Sequence, residues 1–518
     1  MEIFDTTLRD GTQSANINLS IRDKVEIVRA LDEFGIDYIE LGWPGSNPKD
    51  METFLEVTKL KLNNSKVVAF GSTRRKGIKA SEDANLNAIL DSKARVACIF
   101  GKTWLAHVEK QLKIKPEENL GAINDSIKFL KSKGLEVVYD LEHFFDGFMD
   151  NKKYALECLK QAVLAGSDYA VMCDTNGGTL VKDVEKVIQE VNNFLTQEKL
   201  KVKLGVHFHN DSGVAVANSL VSVDYGIEMI QGTINGFGER AGNADLCQII
   251  PNLILKKGVK TNKIKLKKLT ELSDITFTLA NIKPNKAQPF VGKHAFLHKG
   301  GIHVDAIMKG ASYEHVDATS VGNERGIVLS DLSGKANIVE ALKKFGIKVD
   351  KNDSNVKKML SKVEVLEKEG YDIGSLPAEQ FLLKEEFFGK GEVFKINSWE
   401  IHSEQKNGEF SECTVIGKIK EKDIEVKDSV KGGPVDAVYH TIKKLAAKVD
   451  KNIEKLKLIN YKVMIAEDKG AESSVRVYIE FKKGNDEWGT VGVSTNILEA
   501  SIEAIEKGLR YYLLINAL

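Results

Sequence analysis

Short apolar runs alternate with amphipathic helical stretches from residue 1 to about residue 260. Eight of these runs have the length and composition of buried strands, namely EIFDTT, DYIELG, KVVAFG, RVACIF, EVVYDL, DYAVMC, LGVHFH and MIQGTING. Gly35, Gly134 and Gly166 follow helical stretches, where a left-handed residue commonly ends a helix. Eight strand-then-helix units predict an α/β fold, the closed (β/α)8 or TIM barrel. An open doubly wound sheet is the alternative, but TTLRDGTQ is not the glycine-rich phosphate loop that it needs.

The second half of the chain has a different pattern. Residues 263–391 are predicted to be mostly helical, with the interruption GKHAFLHKGGIHVDAIMKGASYEH. In residues 392–518 strand-like runs such as SECTVIGKI, YKVMIAED, SVRVYIEF and EWGTVGVS alternate with two helical stretches. We therefore expect a barrel at 1–262, a helical linker region at 263–391 and a C-terminal α+β domain at 392–518.

The composition disfavours several classes of function. Lys plus Arg and Asp plus Glu both number 74, and the zero net charge favours neither nucleic acid nor a membrane surface as a partner. No apolar run approaches the length of a membrane span. The first residues lack the basic and apolar regions of a secretory leader, and the five cysteines contain no CxxC pair. We expect reduced thiols and a cytoplasmic protein.

Polar side chains collect where the predicted strands end. His207 and His209 are two residues apart in the seventh strand, so both imidazoles project from one face. The first strand runs directly into Arg9 and Asp10. Because the carboxyl ends of barrel strands surround one mouth, we expect these four side chains to lie close together.

Further polar candidates occupy the same ends of other strands: Glu40, Glu142, His143, Asp174, Thr175, Asn210, Asp211, Glu239 and Asn243. A carboxylate, two imidazoles and an amide oxygen suit Mg²⁺, Mn²⁺, Zn²⁺ or Co²⁺ with open positions for water or substrate. Each residue alone has a structural interpretation, since an HxH pair can be structural and Asp10 or Asn243 can cap a helix. Their coincidence at one end of the barrel predicts a divalent metal site.

Three runs carry a family resemblance, namely DTTLRDGTQ, HFHND and GFGERAGNA. Together they resemble the DRE-TIM metallolyase superfamily, and more closely its Claisen-condensing branch of 2-isopropylmalate, homocitrate and citramalate synthases. The resemblance continues towards the C-terminus through GGIHVDA, GGPVDA and WGTVGVSTNILEAS. ELGWPGSNPKD, IFGKTW and CDTNGGT are similar to the corresponding runs of members that accept pyruvate.

Carried over to the matching positions, the resemblance implies a complete active site. The implied metal ligands are Asp10, His207, His209 and Asn243. Arg9 is implied to bind the keto oxygen of a 2-oxo acid and Thr175 its carboxylate, with Glu142 over both substrates. His303 and Tyr313, from the region after the barrel, are implied to act as catalytic base and its helper, within one subunit or across a dimer.

The resemblance also implies the reaction, an acyl transfer in which the acyl group becomes an alkyl group. Acetyl-CoA is then the co-substrate and pyruvate the acceptor, and the products are citramalate and CoA, for isoleucine biosynthesis. Within the branch, the alternative acceptor is 2-oxoisovalerate, for leucine biosynthesis. A lyase of the 3-hydroxy-3-methylglutaryl-CoA type is disfavoured because such lyases lack the long C-terminal region. A non-catalytic amino-acid sensor on an inactive barrel is disfavoured by the intact set Arg9, Asp10, His207 and His209.

The resemblance gives residues 392–518 the role of a LeuA-type allosteric and dimerisation domain. The residues themselves contain no metal-ligand set and no plausible nucleophile, so a dimerisation scaffold is the simpler interpretation. The implied partners are a second copy of the chain, in a homodimer, and a feedback effector, isoleucine or leucine.

Overall fold

The computed structural model describes residues 1–261, 263–300, 306, 313–329, 333–389, 393–404, 410–419, 422–465, 473–484 and 486–516. They form two compact units. The first comprises Met1–Phe296 and Val316–Arg325, and the second comprises Leu297–His315 and Gly326–Leu518. Among the described residues, no helix combines the length and apolar character needed to cross a membrane.

Eight parallel strands form a closed barrel in the first unit. In chain order they are β1 Glu2–Asp5, β2 Tyr38–Gly42, β3 Lys66–Ser72, β4 Val96–Lys102, β5 Glu136–Glu142, β6 Tyr169–Asp174, β7 Lys203–Phe208 and β8 Met229–Gly232. Each strand pairs with the next, and β8 returns to β1, with Met229 opposite Glu2. The predicted TIM barrel is therefore confirmed, and the doubly wound alternative is wrong.

Helices follow the strands, as the repeating pattern predicts. They are α1 Ile21–Phe34, α2 Pro48–Val57, α3 Ala84–Asp91, α4 Leu105–His107, α5 Pro116–Ser132, α6 Phe144–Leu164, α7 Val181–Gln197, α8 Ala215–Ser222, α9 Leu246–Leu255 and α10 Leu269–Leu279. Helix α1 begins at a capping box of Ser20 and Asp23 and ends at Gly35, whose φ is 106°. Gly134 and Gly166 are also left-handed, with φ of 81° and 92°.

Alternate side chains of the strands point to two separate apolar cores. In β4, Val96 and Cys98 belong to the smaller cluster, with Phe4 and Met229, whereas Ala97 belongs to the larger cluster that includes the buried helix faces. Burying each large apolar side chain contributes about 1.5–3 kcal/mol. The barrel interior is thus filled, and polar groups collect at the carboxyl ends of the strands.

The second unit begins with a short parallel pair and a helical part. These elements are β9 Leu297–His298, β10 Gly326–Ile327, α11 Lys335–Lys344, α12 Ser354–Lys368 and α13 Pro377–Phe388. Two antiparallel three-stranded sheets follow, each with a helix after it: β11 Phe394–Glu404, β12 Phe410–Ile419, β13 Lys422–Val430 and α14 Pro434–Ala447, then β14 Lys457–Ile465, β15 Val475–Lys483, β16 Asp486–Ser494 and α15 Ile497–Asn516. The predicted α+β character of the C-terminal part is confirmed.

Strand β13 was not among the strands predicted from the sequence. Its residues KDIEVKDSV include five charged side chains and only intermediate or exposed positions. The strand pairs with β12 through backbone hydrogen bonds, from Val430 opposite Ser411 to Lys422 opposite Ile419. A strand without a fully buried side lacks the apolar run on which the prediction depended.

Candidate metal centre and active site

Asp10, His207 and His209 form a buried cluster at the mouth of the barrel. One ligand atom from each lies within 4.8 Å of the ligand atoms of the other two. The Nε2 atoms of His207 and His209 are 3.5 Å and 3.8 Å from Asp10 Oδ2. The two imidazoles come from the end of β7 and the carboxylate from the loop after β1, so strand pairing through β8 brings distant parts of the chain together.

The surroundings of Asp10 favour the ionised form of its carboxyl group. Asp10 precedes the short turn Gly11–Gln13 but makes no capping hydrogen bond with its side chain, so it does not serve as a helix cap. Its Oδ2 is 3.1 Å from Arg9 Nη1, and its Oδ1 has no hydrogen-bond partner among the described residues. Burial alone would raise the pKa of Asp10, but the charge of Arg9, together with smaller contributions from other neighbouring groups, outweighs burial and lowers it. A metal ligand needs this ionised form.

Asn243 lies next to His209 of the same cluster. It pairs with His209 in an isolated β-bridge, and its Nδ2 donates to the carbonyl oxygen of Phe237 at 3.1 Å. Its Oδ1 is buried and unpartnered within the described chain. Asn243 does not cap helix α9, because Asp245 does so by accepting from the backbone N–H of Cys247.

These groups fit a divalent cation. Two buried oxygens, Asp10 Oδ1 and Asn243 Oδ1, have no hydrogen-bond partner among the described residues. Leaving a buried polar atom unpaired costs about 1–3 kcal/mol, and a bound cation offsets that cost. One carboxylate, two imidazoles and one amide oxygen suit Mg²⁺, Mn²⁺, Co²⁺ or Zn²⁺. The donor set does not distinguish among these four ions.

Gln231 and Asp140 orient His207 through the Nδ1 side of its ring, opposite the Nε2 atom that faces Asp10. His207 Nδ1 is 2.9 Å from Gln231 Oε1, and Gln231 Nε2 donates to Asp140 Oδ1 at 2.9 Å. Because the amide nitrogen is bound to Asp140, the amide oxygen faces His207, and Nδ1 carries the proton. The lone pair on Nε2 is then directed to the cluster. Burial, with neighbouring His209, lowers the pKa of His207 to about 3, so the ring is neutral.

Sequence reasoning missed this pair of residues. Asp140 is the one charged residue in the buried stretch Val137–Leu141 of β5, and Gln231 is the one polar side chain of β8. Burial and the charge of Glu40 raise the pKa of Asp140 to about 7. A polar residue isolated in a buried strand was the available signal.

We expect Gln231→Leu to weaken metal binding by about 10–100-fold, because it removes the acceptor that fixes the tautomer of His207. Titration calorimetry with Mn²⁺ measures the change. Gln197→Leu, at the exposed end of α7, is the matched control and should bind as the wild type does. Equal affinities in all three proteins would contradict the orienting role.

Arg9 is a permanent cation at the same mouth. Its Nε lies 2.6 Å from Glu40 Oε2, and its guanidinium carbon lies 3.8 Å from the centre of the Phe70 ring. Burial alone would lower the pKa of Arg9, but the charges of Glu40 and Asp10 outweigh burial and raise it. Glu40 also accepts from the hydroxyl of Thr6. The guanidinium is therefore fixed by two carboxylates and one aromatic ring.

A cavity of about 220 Å³ opens over the cluster. Arg9 and the three side chains of the cluster contribute to its lining, and Trp43, Phe70 and Phe100 form an apolar wall. The Phe70 and Phe100 rings stack at 5.4 Å, and Trp43 meets them edge-on at 5.4 Å and 5.7 Å. This aromatic wall, also missed from the sequence, gives the cavity one charged side and one apolar side.

A larger cavity of about 500 Å³ lies beside the first and shares Phe100 and Glu142 with it. Its lining includes four cationic side chains, Arg74, Arg75, Lys76 and Lys102. Glu142 Oε2 lies 2.7 Å from Lys102 Nζ. Glu142 therefore stands between a small cavity over the candidate metal ligands and a larger basic cavity.

Thr175 lines the smaller cavity at the end of β6. Its Oγ1 accepts from the backbone N–H of His143 at 2.9 Å, and its carbonyl oxygen accepts from Arg240 Nη2 at 2.8 Å. Arg240 is held in turn by both carboxylate oxygens of Asp211, at 2.8 Å and 2.9 Å. Thr175 thus has a fixed position beside the cluster.

Two of the predicted site residues, His303 and Tyr313, come from the chain beyond the barrel, and their roles stay predictions. His303 lies outside the described residues. Tyr313 belongs to the second unit, where its side chain is 48% exposed.

Three family models match successive parts of the chain. The HMGL-like family model matches residues 1–276, more than half of the chain. The model described as homocitrate synthase post-HMGL domain-like matches residues 290–370, and the LeuA allosteric (dimerisation) domain matches residues 378–513.

Curated relatives match over nearly the full length. An (R)-citramalate synthase from Sulfolobus acidocaldarius is 46% identical over 518 residues, which cover 99% of this chain and 97% of the relative. An (R)-citramalate synthase from Geobacter sulfurreducens is 43% identical over 520 residues, with coverages of 99% and 97%. A 2-isopropylmalate synthase from Methanocaldococcus jannaschii is 32% identical over 516 residues, with coverages of 98% and 93%.

Fold, site and similarity define the class: the chain belongs to the HMGL-like family of TIM-barrel enzymes. Within that family its branch is that of the (R)-citramalate synthases, of which five are 38–46% identical to it.

Proposed function

We propose that the protein is an (R)-citramalate synthase, an acyltransferase that condenses acetyl-CoA with pyruvate and water to give citramalate and CoA. The observation that carries the proposal is the buried cluster of Asp10, His207 and His209 beside Arg9, under a small cavity with one aromatic wall. The full-length similarity to (R)-citramalate synthases supports it.

The polar side of the small cavity suits a 2-oxo acid. A divalent ion held by Asp10, His207, His209 and Asn243 supplies Lewis-acid polarisation of the keto group. Arg9 places a fixed positive charge where negative charge develops on the keto oxygen, a type of stabilisation commonly worth about 2.7–4 kcal/mol. Because Thr175 Oγ1 already accepts from His143, its own proton is free to donate to the carboxylate.

The apolar side of the cavity favours a small acceptor. The wall consists of three aromatic rings, Trp43, Phe70 and Phe100, each in contact with the other two. These contacts restrain the rings from moving outward to enlarge the cavity. Pyruvate presents one methyl group, whereas 2-oxoisovalerate presents an isopropyl group with two more carbons. In a fitted pocket a difference of one methylene is worth about 1–3 kcal/mol. We therefore favour pyruvate over 2-oxoisovalerate.

The larger basic cavity suits acetyl-CoA. The cationic side chains Arg74, Arg75 and Lys76 can pair with the phosphates of the CoA moiety, and the shared boundary at Glu142 brings the acetyl group to the acceptor. We assign His303 as the base that takes a proton from the acetyl methyl group, with Tyr313 as its helper. This assignment rests on the GGIHVDA motif and the sequence that follows it. The resulting carbanion attacks the keto carbon, and water then cleaves the thioester.

We further propose a homodimer that serves isoleucine biosynthesis in the cytoplasm and is inhibited by isoleucine or leucine. The LeuA allosteric (dimerisation) domain match supports the dimer and the control. The five cysteines are buried free thiols, as expected in a reducing compartment. The proposed parts are a catalytic barrel at 1–262, a linker at 263–391 that contributes to the active site, and the allosteric domain at 392–518.

Removing residues 392–518 should abolish any inhibition by isoleucine and weaken the dimer, because the proposed effector site and subunit contact lie there. Initial rates with and without isoleucine, and sedimentation velocity, measure the two effects. Isoleucine inhibition that survives the truncation would place the effector site elsewhere.

The proposed function is tested by thiol release from acetyl-CoA with each acceptor in turn. We expect kcat/KM with pyruvate to exceed that with 2-oxoisovalerate at least about 10-fold. Release with 2-oxoisovalerate alone would overturn the assignment in favour of 2-isopropylmalate synthase. Release with neither acceptor would favour the amino-acid sensor. Omission of acceptor is the control for simple thioester hydrolysis.

A further inference from the structure

His143 has an unusual backbone conformation at the edge of the candidate active site. It follows the last residue of β5 and precedes α6, and its φ and ψ are 57° and 36°, in the left-handed region. A residue with a Cβ adopts this region at a cost, and only glycine and, less often, Asn or Asp adopt it routinely. Such strain persists only where surrounding contacts impose it, and it is common at functional sites.

The left-handed conformation directs the backbone N–H of His143 across to the neighbouring strand. That N–H donates to Thr175 Oγ1 at 2.9 Å. A hydroxyl oxygen that accepts one hydrogen bond keeps its own proton for another acceptor, and Thr175 lines the cavity over the cluster. The backbone of His143 therefore sets the rotamer and the donor direction of Thr175.

The imidazole of His143 is enclosed by its neighbours. Its ring centre lies 4.4 Å from that of His107 and 5.8 Å from that of Trp104. Its Nδ1 lies 3.4 Å from Asp146 Oδ2, and the same oxygen accepts from Asn176 Nδ2 at 3.0 Å. Because Asn176 directly follows Thr175, the side chain of His143 is tied to the same loop as its backbone N–H.

We infer that His143 is a positioning residue for the acceptor. The left-handed backbone of His143 presents its N–H to Thr175 Oγ1, and that hydrogen bond aims the Thr175 hydroxyl at the carboxylate of the 2-oxo acid. The inference rests on the proposed function, in which Thr175 binds that carboxylate. His143 itself does not touch the substrate.

Two variants separate the backbone conformation from the aromatic packing. His143→Asn loses the ring but tolerates the left-handed region, whereas His143→Phe keeps a ring but has no such tolerance. We expect the KM for pyruvate to stay within about 3-fold of wild type in H143N and to rise about 10-fold in H143F, with the KM for acetyl-CoA unchanged. The reverse ranking would overturn the inference. If H143F does not fold, as judged by circular dichroism, H143A replaces it, since Ala also disfavours positive φ.

A double-mutant cycle with Thr175→Val completes the test. If His143 acts through the Thr175 hydroxyl, the double variant H143F/T175V should have the same KM for pyruvate as T175V alone. A KM increase in the double variant equal to the product of the two single-variant increases would overturn the inference. Wild-type turnover with pyruvate tests the proposed function separately, so failure of the positioning role leaves that assignment intact.

Discussion

Asp10→Ala should reduce turnover at least about 1,000-fold while the barrel stays folded. The substitution removes the only carboxylate of the metal-ligand cluster in the described structure and leaves two neutral imidazoles, one of which has its pKa lowered by burial to about 3. A cation bound without that charge loses both affinity and the polarising field that the reaction needs. His207→Ala should have a similar effect, because it removes a buried ligand.

Thiol release from acetyl-CoA with saturating pyruvate and Mn²⁺ measures the loss, and thermal melting followed by circular dichroism checks the fold. Asp224→Ala is the matched control, since its carboxylate is 60% exposed and pairs only with Lys257 among the contacts described. The control should retain wild-type activity. If most of the activity remains after Asp10→Ala and His207→Ala together, the metal site lies elsewhere.

Arg9→Lys should lower kcat by about 100–1,000-fold, the range measured when one preorganised donor is removed. Lysine keeps the charge but presents it as a compact ammonium, which cannot bridge Glu40 and Asp10 or stack on Phe70 as the guanidinium does. The positive charge would then no longer be fixed beside the keto oxygen.

Measurement of kcat at saturating pyruvate, together with the affinity for Mn²⁺, distinguishes a charge effect from metal loss. We expect kcat to fall much more than the Mn²⁺ affinity. Arg29→Lys is the control, because that side chain is 56% exposed on α1. A wild-type kcat in Arg9→Lys would contradict the stabilising role of the guanidinium.

The barrel was predictable because buried parallel strands and amphipathic helices leave strong periodic patterns. Placement of Asp10, His207 and His209 at one mouth followed from that topology, since the carboxyl ends of parallel barrel strands coincide. The two capping interpretations failed for physical reasons. The side chain of Asp10 makes no capping bond, and Asp245 caps the helix that Asn243 precedes.

Other parts of the site leave no periodic signal. Asp140 and Gln231 have buried apolar neighbours in β5 and β8, and their contact depends on strands distant in sequence. The aromatic wall of Trp43, Phe70 and Phe100 is indistinguishable in sequence from ordinary core residues. The left-handed conformation of His143 depends on tertiary contacts, and no turn residue such as Gly or Asn marks that position in the sequence.

The central claim is that one cation at Asp10, His207, His209 and Asn243 binds next to the 2-oxo acid. Line broadening of [2-¹³C]pyruvate by enzyme-bound Mn²⁺ tests it most directly, because paramagnetic broadening falls steeply with the distance from the ion to the keto carbon. We predict strong broadening with the wild type and none beyond free Mn²⁺ with Asp10→Ala. Equal broadening in both proteins, or tight Mn²⁺ binding by the wild type without broadening, would contradict the claim.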